Sequence, residues 1–439
     1  MDLSGDHLAT SSPQLSSTPP RSSRAGGLLV AVLVLVLLGA GAVAALSWRP
    51  SNRQAVAPTP SPTPASDLAA AEKTGKELSG SACKGTGVTL LPQLPMRLED
   101  IGYVLPMGMM SGTQVTPGTS QRYVGLDTKA ASDDYVVSAP GDGVIVDIRH
   151  SLGANPAHYR ILIAYSCTFF EYLDSLTSLD PALKLMLPEE GDVKTHPSLA
   201  LPVTAGQRLG RAGGRGIALG IWDLGKPLSG LLVPLAYSSQ PGKTYAAAPI
   251  DYYQSELSDK LVAKYVRSVH PIDGKLDYDL EGKISGNWFL AGSNGEAGSD
   301  SGKPWASQIS LSYDYLDPVI PVISLGNASG KSQQFLTKAS GPDPAKVSAE
   351  NGLVKYELIP LTGYQSPDGT PWDGGVFTQN LVPIGSGEVT GTLLMQLLKS
   401  HKLQVELVPG LAADQVSAFS GAALTYDRGD SAKDQSPAN

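Results

Sequence analysis

The residues of this chain that could carry out chemistry are few and widely spaced. The histidines stand singly along the sequence, at His7, His150, His158, His196, His270 and His401. No two of them have the His-x-x-x-His spacing that places two zinc ligands on one helix face, and there is no Cys-x-x-Cys pair or Asp-rich calcium loop. His150 and His158 flank a predicted hairpin loop, where we expect them to be solvated. We therefore predict no metal and no cofactor.

Serine, glycine and basic residues give no catalytic or nucleic-acid site either. No Gly-x-Ser-x-Gly nucleophile elbow occurs. The stretch 210–216 reads Gly-Arg-Ala-Gly-Gly-Arg-Gly and lacks the Lys-Ser/Thr ending of a phosphate loop, so we interpret it as a β-turn. The net charge is -8 over 439 residues, without a local Lys/Arg cluster. This charge argues against a nucleic-acid partner, which would need a basic face.

One segment near the N-terminus predicts a membrane anchor. Residues 25–48 contain no charged side chain, and a helix rising about 1.5 Å per residue crosses a hydrocarbon core of about 30 Å in this length. A cleavable signal peptide is the alternative, because Ala42-Val43-Ala44 resembles a cleavage site. Arginines flank both ends, so the positive-inside rule sets no orientation. The Pro/Ser/Thr-rich spacer that follows and the two cysteines favour an extracytoplasmic C-terminal part.

The remaining segments predict two β-rich domains between polar tails. We expect a disordered tail over 1–24, the membrane helix over 25–48, a linker over 49–82, domains over 83–270 and 271–425, and a disordered tail over 426–439. Alternating apolar residues predict strands in the first domain, at Tyr135–Ser138, 143–149, 159–165, 168–173 and Ile217–Asp223. Helical spacing predicts a short insertion over 176–187 and a closing helix within 251–269.

The second domain has a similar pattern of short strands. They are predicted at 275–280, 288–290, 308–315, 320–325, 334–337, 352–360 and 404–408. Leu393, Leu394, Leu397 and Leu398 fit a helical face, which predicts a helix before the last of these strands. Many short strands joined by turns favour a barrel or a sandwich.

Two sequence motifs resemble the lysostaphin/LytM-type zinc endopeptidases, which cut peptidoglycan cross-links and contain a duplicated hybrid motif. Residues 138–145, Ser-Ala-Pro-Gly-Asp-Gly-Val-Ile, resemble the first core strand of that family with its turn. Residues 203–210, Val-Thr-Ala-Gly-Gln-Arg-Leu-Gly, resemble its later hairpin. The resemblance implies a LytM-like β-barrel/sandwich hybrid domain. The expected fold is thus mainly β: this domain plus a second β-rich barrel or sandwich domain, preceded by one transmembrane helix.

The residues that hold and use zinc in that family are missing at the matching positions. The family's early His corresponds to Gln114 and its early Asp to Asp127. Tyr172 stands where a catalytic His follows the central strand. In the strand of the His-x-His motif, Ala218 and Gly220 replace both histidines, and Trp222 follows them. A lone Asp127 does not hold zinc, so the resemblance implies an inactive cleft lined by these six residues. Aromatic residues near it predict either a ligand surface or core filling.

Three functions remain open from the sequence. We expect a membrane-anchored, extracytoplasmic and catalytically inactive LytM-like protein that binds a cell-wall polymer, a glycan or an envelope protein. An active zinc endopeptidase with displaced ligands is one alternative, and a surface glycan- or solute-binding protein acting through its C-terminal β domain is another. Cys83 and Cys167 are expected to form a disulfide, since two cysteines in an oxidising compartment commonly pair.

Overall fold

The computed structural model describes residues 65–151, 157–187, 199–338 and 341–429. The predicted tail 1–24, the predicted membrane helix 25–48 and residues 49–64 of the predicted linker lie outside these residues. Within the part that is described, no helix combines the length and the apolar character needed to cross a membrane. The elements below belong to one compact unit, Thr63–Asn439.

The protein is mainly β. Its described α-helices are α1 (Ala65–Leu78), α2 (Pro181–Lys184) and α3 (Ser255–Val262). The strands of the N-terminal half are β1 (Ile101–Leu105), β2 (Gln121–Gly125), β3 (Tyr135–Ser138), β4 (Gly143–Ser151), β5 (His158–Ser166), β6 (Phe169–Leu176), β7 (Ser178–Leu179), β8 (Leu201–Val203), β9 (Arg208–Ala212), β10 (Ile217–Asp223) and β11 (Ala246–Ala247). Short 3₁₀ helices connect several elements.

The C-terminal half contributes ten further strands. They are β12 (Gly286–Leu290), β13 (Gln308–Tyr313), β14 (Pro321–Ala328), β15 (Lys331–Thr337), β16 (Val354–Gln365), β17 (Pro371–Trp372), β18 (Val382–Gly385), β19 (Gly391–Leu397), β20 (Leu403–Pro409) and β21 (Leu424–Asp427).

The N-terminal strands form one large and one small antiparallel sheet. The large sheet has the order β1-β2-β10-β6-β5-β4-β8, with β11 also paired to β10. The small sheet has the order β3-β9-β7. Side chains of both sheets pack into one core, in which Val137 and Leu209 of the small sheet join Ile163 and Leu219 of the large one. Each strand alternates its side chains between two faces, so the large sheet keeps a second face for other contacts.

The C-terminal strands close on themselves. They follow the order β15-β14-β13-β12-β21-β20-β19-β16, and β15 also pairs with β16, which closes a ring of eight strands. Trp288, Tyr356 and Met395 are buried in the core of this ring. Strands β17 and β18 extend β16 beyond the ring.

Most of the predicted strands are present, and the predicted helices are only partly right. The helix expected within 251–269 is shorter, α3, and the insertion at 176–187 contains β7 and the single turn α2. The helix predicted from Leu393, Leu394, Leu397 and Leu398 is wrong, because these residues belong to β19 and the turn after it. The strand predicted at 275–280 is also absent: the segment has no strand ladder, although Leu276 and Tyr278 alternate into the interior. The domain boundaries stay a prediction.

Candidate functional site

The sheet register brings three of the predicted site positions together on one face. Strand β10 lies between β2 and β6. Gly220 is opposite Tyr172 in the β10–β6 ladder, and Ala218 is opposite Asp174 there and opposite Arg122 in β2. Directly opposed residues of an antiparallel pair point to the same side of the sheet. Ala218, Gly220 and Tyr172 therefore share the face that points away from the core between the two sheets.

Tyr172 occupies the space beside Gly220. A Cβ atom added to Gly220 would lie 2.5 Å from the Tyr172 hydroxyl oxygen and 2.6 Å from ring carbons. The tyrosine is only 2% exposed, and its hydroxyl lies 3.0 Å from Thr119 Oγ1 and 2.8 Å from Ser120 Oγ. Burial raises the pKa of Tyr172, so its hydroxyl stays protonated within this hydrogen-bonded group.

A cleft of about 380 Å³ opens next to this tyrosine and is called the tyrosine cleft below. Its lining includes Gln114, Thr119, Ser120, Asp147, Arg149, Arg160, Leu162, Tyr172, Trp222, Gln240, Gly242 and Lys243. Of the predicted site residues, Gln114, Tyr172 and Trp222 thus border one cavity. The lining is mostly amide, hydroxyl and guanidinium groups around a small aromatic floor.

The charges of the tyrosine cleft leave one guanidinium without a carboxylate. Arg149 Nε donates to Asp147 Oδ2 at 2.6 Å, and Lys243 Nζ lies 2.5 Å from Glu296 Oε1. Arg160 instead lies over the Tyr172 ring, with its Cζ 4.1 Å from the ring centroid, and pairs with no carboxylate among the described residues. Such stacking over an aromatic face is favourable for a guanidinium and leaves its N–H groups at the edge available to a ligand.

Asp147 provides an acceptor in the same cleft. Its side chain is 9% exposed, and Oδ1 is buried without a hydrogen-bond partner in the described part of the chain. A buried polar atom without a partner costs free energy, and a donor from a bound ligand would remove that cost.

Asp127 does not belong to this cleft. It is exposed in the turn after β2, where its Oδ1 accepts a hydrogen bond from the backbone N–H of Lys129 at 2.9 Å. The Tyr135 hydroxyl lies 2.8 Å from the Asp127 backbone nitrogen and fixes the same turn. Asp127 acts here as a turn residue.

The aromatic residues near the predicted cleft are divided between the two faces of the sheet. Phe170, Tyr172 and half-buried Trp222 lie on the cleft face. Tyr123, Tyr165 and Phe169 pack with the core on the other face. The division follows from strand alternation, and most of these rings fill space in the interior. Only Tyr172 and Trp222 border the tyrosine cleft.

A disulfide joins Cys83 to Cys167, the pair named from the sequence. The Cα atoms are 5.0 Å apart, and 84 residues separate the two cysteines along the chain. Both cysteines are buried with Phe170 and with Ala71 of α1. A Cβ at Gly75 of α1 would lie 1.6 Å from the Cys167 carbonyl oxygen, so this glycine allows the helix to lie against the β5–β6 turn. The bond and the helix together cover one end of the cleft face.

The donor atoms of the tyrosine cleft do not fit a catalytic zinc. Ala218 and Gly220 carry no ligating group, and the Tyr172 hydroxyl is engaged with Thr119 and Ser120. Within the described residues, no three His, Cys, Asp or Glu side chains cluster as a metal site would require. We derive no metal-dependent step for this cleft.

The sequence reasoning missed the polar residues of the cleft. Arg160 lies in β5 with Leu162, whose ladder partner is Tyr172, so both point to the cleft face. The available signal was a charged residue within the otherwise apolar run 159–165. Thr119 and Ser120 come from the loop before β2 and have no signal in the sequence pattern.

Comparison with known proteins adds no assignment. No family model matches the chain, and no curated protein is significantly similar to it.

Proposed function

We propose that this chain is a catalytically inactive, LytM-like binding protein of the cell envelope. In this proposal residues 25–48 anchor it in the membrane, the C-terminal β-rich part is extracytoplasmic, and the tyrosine cleft binds an envelope glycan. The single observation that carries the loss of catalysis is the packing of Tyr172 against Gly220. The LytM-type peptidases that the sequence resembles have histidines at the positions matched to these two residues, whereas here a ring fills the space that a side chain at Gly220 would need.

The chemistry of the tyrosine cleft supports a glycan as the ligand. Thr119, Ser120, Gln114 and Gln240 offer hydroxyl and amide groups, which both donate to and accept from sugar hydroxyls. The unpartnered Oδ1 of Asp147 accepts one more hydroxyl. Arg160 adds one positive charge, which suits a sugar that carries a carboxylate.

The disulfide supports the extracytoplasmic location. Disulfides form and persist in oxidising compartments and are rare in the cytosol of most organisms. The bond between Cys83 and Cys167 ties the beginning of the folded part to the turn between β5 and β6. Protease digestion of intact cells tests this location, because an extracytoplasmic C-terminal part is cut without lysis and a cytoplasmic one is protected.

Two measurements on the detergent-purified full-length chain test the binding function. The first is zinc content by elemental mass spectrometry, for which we expect only trace zinc. The second is sedimentation with purified wall glycan, comparing the wild type with Arg160→Gln and with the control Lys331→Gln, an exposed residue at the start of β15. We expect Arg160→Gln to weaken binding about tenfold, the effect of losing one charge-assisted hydrogen bond, and the control to leave binding unchanged.

Each alternative has its own outcome in these measurements. One equivalent of zinc that is lost in Asp127→Ala would overturn the inactive assignment in favour of a peptidase with displaced ligands. Glycan binding that is equal in wild type and Arg160→Gln would move the binding site away from the tyrosine cleft and favour the C-terminal β-rich part.

A further inference from the structure

A second and larger groove lies on the same face of the large sheet, beyond Arg122 and Ala218. Its volume is about 800 Å³, within the range of about 300–1,000 Å³ usual for ligand sites. We call it the basic groove, and its lining includes Tyr103, Met109, Arg122, Lys129, Arg215 and Asp373. None of the residues predicted from the LytM resemblance lines it.

The groove is built from both halves of the fold. The large sheet provides the floor, and the loop after β17 provides one rim through Asp373, Gly374 and Gly375. The Tyr103 hydroxyl donates to the Gly374 carbonyl oxygen at 2.6 Å, and its ring contacts Trp372 edge to face with centroids 5.8 Å apart. These contacts fix the rim relative to the floor, as a preformed binding site requires.

Two guanidinium groups of the groove lie close enough to repel each other. Arg122 is half-buried, and burial is the main cause that lowers its pKa; the charge of Asp174 raises this pKa, and the smaller effect of the Arg215 charge lowers it. Arg122 Nη1 donates to the Arg215 backbone oxygen at 3.2 Å, which holds the exposed Arg215 turn beside it. Two like charges in one groove are stabilised by an anion placed between them.

The remaining charges of the groove do not cancel this excess. Lys129 adds a third cation on the rim. Asp174 lies 3.3 Å from His158 Nε2 and also acts electrostatically on Arg122, and Asp373 lies on the opposite rim. Three cations thus face two carboxylates in a protein whose net charge is -8, so the positive excess is local to this groove.

Glycines lie at both rims of the basic groove. Gly213, Gly214 and Gly216 form one rim and Gly374 and Gly375 the other. Gly216 has φ +64°, and a Cβ there would lie 1.7 Å from the Tyr123 carbonyl oxygen, so only glycine lets this turn lie flat on β2. A Cβ at Gly214 would likewise lie 2.5 Å from the Thr128 carbonyl oxygen, so these glycines let the rim pack closely against its neighbours.

The floor of the groove adds apolar surface. Leu105 and Val124 lie on it beside Met109, whose side chain is 38% exposed. An apolar floor below a cationic wall matches a ligand that carries an apolar side chain and a carboxylate.

We propose that the basic groove binds a short acidic peptide in an extended conformation. Its carboxylate lies between Arg122 and Arg215, its main chain runs between the two rims, and an apolar side chain contacts Met109. This proposal does not depend on glycan binding in the tyrosine cleft, and the experiments can disprove either proposal without affecting the other.

Fluorescence anisotropy with the full-length chain tests this site. The probe is the fluorescein-labelled pentapeptide Ala-Leu-Glu-Ala-Ala with a free carboxyl terminus, and the control probe is its Gln analogue with an amidated terminus. We expect saturable binding of the acidic probe that weakens with added salt, and at least about tenfold weaker binding of the control probe. Arg215→Gln and Arg122→Gln are each expected to weaken binding of the acidic probe about tenfold, while Lys331→Gln leaves it unchanged.

Arg215 is exposed, so its variant reports on binding without a folding defect, and the melting temperature of Arg122→Gln checks the half-buried position. Equal affinity for both probes would overturn the proposal, as would wild-type affinity of Arg215→Gln. Displacement of the probe by inorganic phosphate at a lower concentration than by acetate would also overturn it, because the groove would then select phosphate.

Discussion

The side chain of Tyr172 leaves no room for a Cβ atom at Gly220, because its hydroxyl oxygen would lie only 2.5 Å from that atom. The two residues are direct partners in the β6–β10 ladder, so neither can move away without breaking register. Tyr172 and Gly220 are therefore a matched pair, because the bulky side chain of Tyr172 requires that Gly220 has none.

This pairing predicts strong coupling between the two positions. Gly220→Ala should lower the free energy of unfolding by about 2 kcal/mol, the usual cost of overpacking a filled interior. In a Tyr172→Ala background the same substitution should cost much less, because the clashing ring is gone. Urea unfolding of the wild type, both single variants and the double variant measures this coupling.

Gly363→Ala is the matched control, since it also lies in a strand but a Cβ there meets nothing within 4 Å. We expect it to change stability by less than about 0.5 kcal/mol. Additive effects of Gly220→Ala and Tyr172→Ala would contradict the coupling.

The disulfide predicts a large loss of stability on reduction. The bond joins residues 84 positions apart, and the chain-entropy model assigns a loop of this length about 4.5 kcal/mol. We expect the urea midpoint of the wild type to fall markedly in dithiothreitol. The Cys83→Ser, Cys167→Ser double variant should unfold at this lower midpoint with or without reductant. A midpoint that is the same for oxidised and reduced wild type would rule out this contribution.

The sequence predicts most of the strands, including the largely buried β10, but it gives the wrong element for β19. Strand β19 is buried along nearly its whole length, so its leucines form a continuous apolar run that also fits a helix. Its place between β16 and β20 is set by long-range pairing, which local spacing does not contain. Segment 275–280 shows the opposite error: its side chains alternate in burial like those of a strand, but its backbone pairs with no strand.

The residues of the tyrosine cleft could also be predicted only in part from the sequence. Tyr172, Ala218 and Gly220 lie together because β6 and β10 are paired. Once these strands are located, the alternation of side chains places the three residues on one face. Asp127 does not join them, because its position depends on a turn held by Tyr135. Arg122 and Arg160 were missed because a charged residue within a strand reads as a solvent-facing position, whereas here it faces a cleft.

A buried ion pair predicts a second coupled pair of positions. The Lys243 and Glu296 side chains are 1% and 2% exposed, and both contact the Thr116 hydroxyl. Removing one partner leaves an uncompensated buried charge, so Lys243→Met and Glu296→Leu should each cost about 3–5 kcal/mol. The double variant should be more stable than either single one, as thermal unfolding of all four proteins can measure.

Lys260→Met serves as the control for this pair, because Lys260 contacts Glu256 on the exposed face of α3. It should leave the melting temperature unchanged, since exposed ion pairs contribute little. A double variant less stable than both single variants would argue against the buried-charge explanation.

The buried carboxyl of Glu171 predicts that stability falls as the pH rises. Burial raises its pKa from 4.5 to about 7, although hydrogen bonds from Tyr165 at 2.6 Å and Tyr253 at 3.3 Å act in the opposite direction. Between pH 4.5 and 7 the folded state therefore holds a proton that the unfolded state has released. The unfolded state binds fewer protons in this window, so the free energy of unfolding decreases with rising pH and levels off above about pH 7.

Glu171→Gln should remove most of this decrease, because the amide keeps the shape and does not titrate. Urea unfolding at several pH values from 4.5 to 8 compares the slopes of the two proteins. Asp273, whose pKa burial raises to about 6, contributes a change of the same sign, so Asp273→Asn should flatten the profile less than Glu171→Gln does. Parallel profiles for wild type and Glu171→Gln would mean that Glu171 is already ionised in the folded protein at pH 5, with its charge held by the two tyrosine hydroxyls.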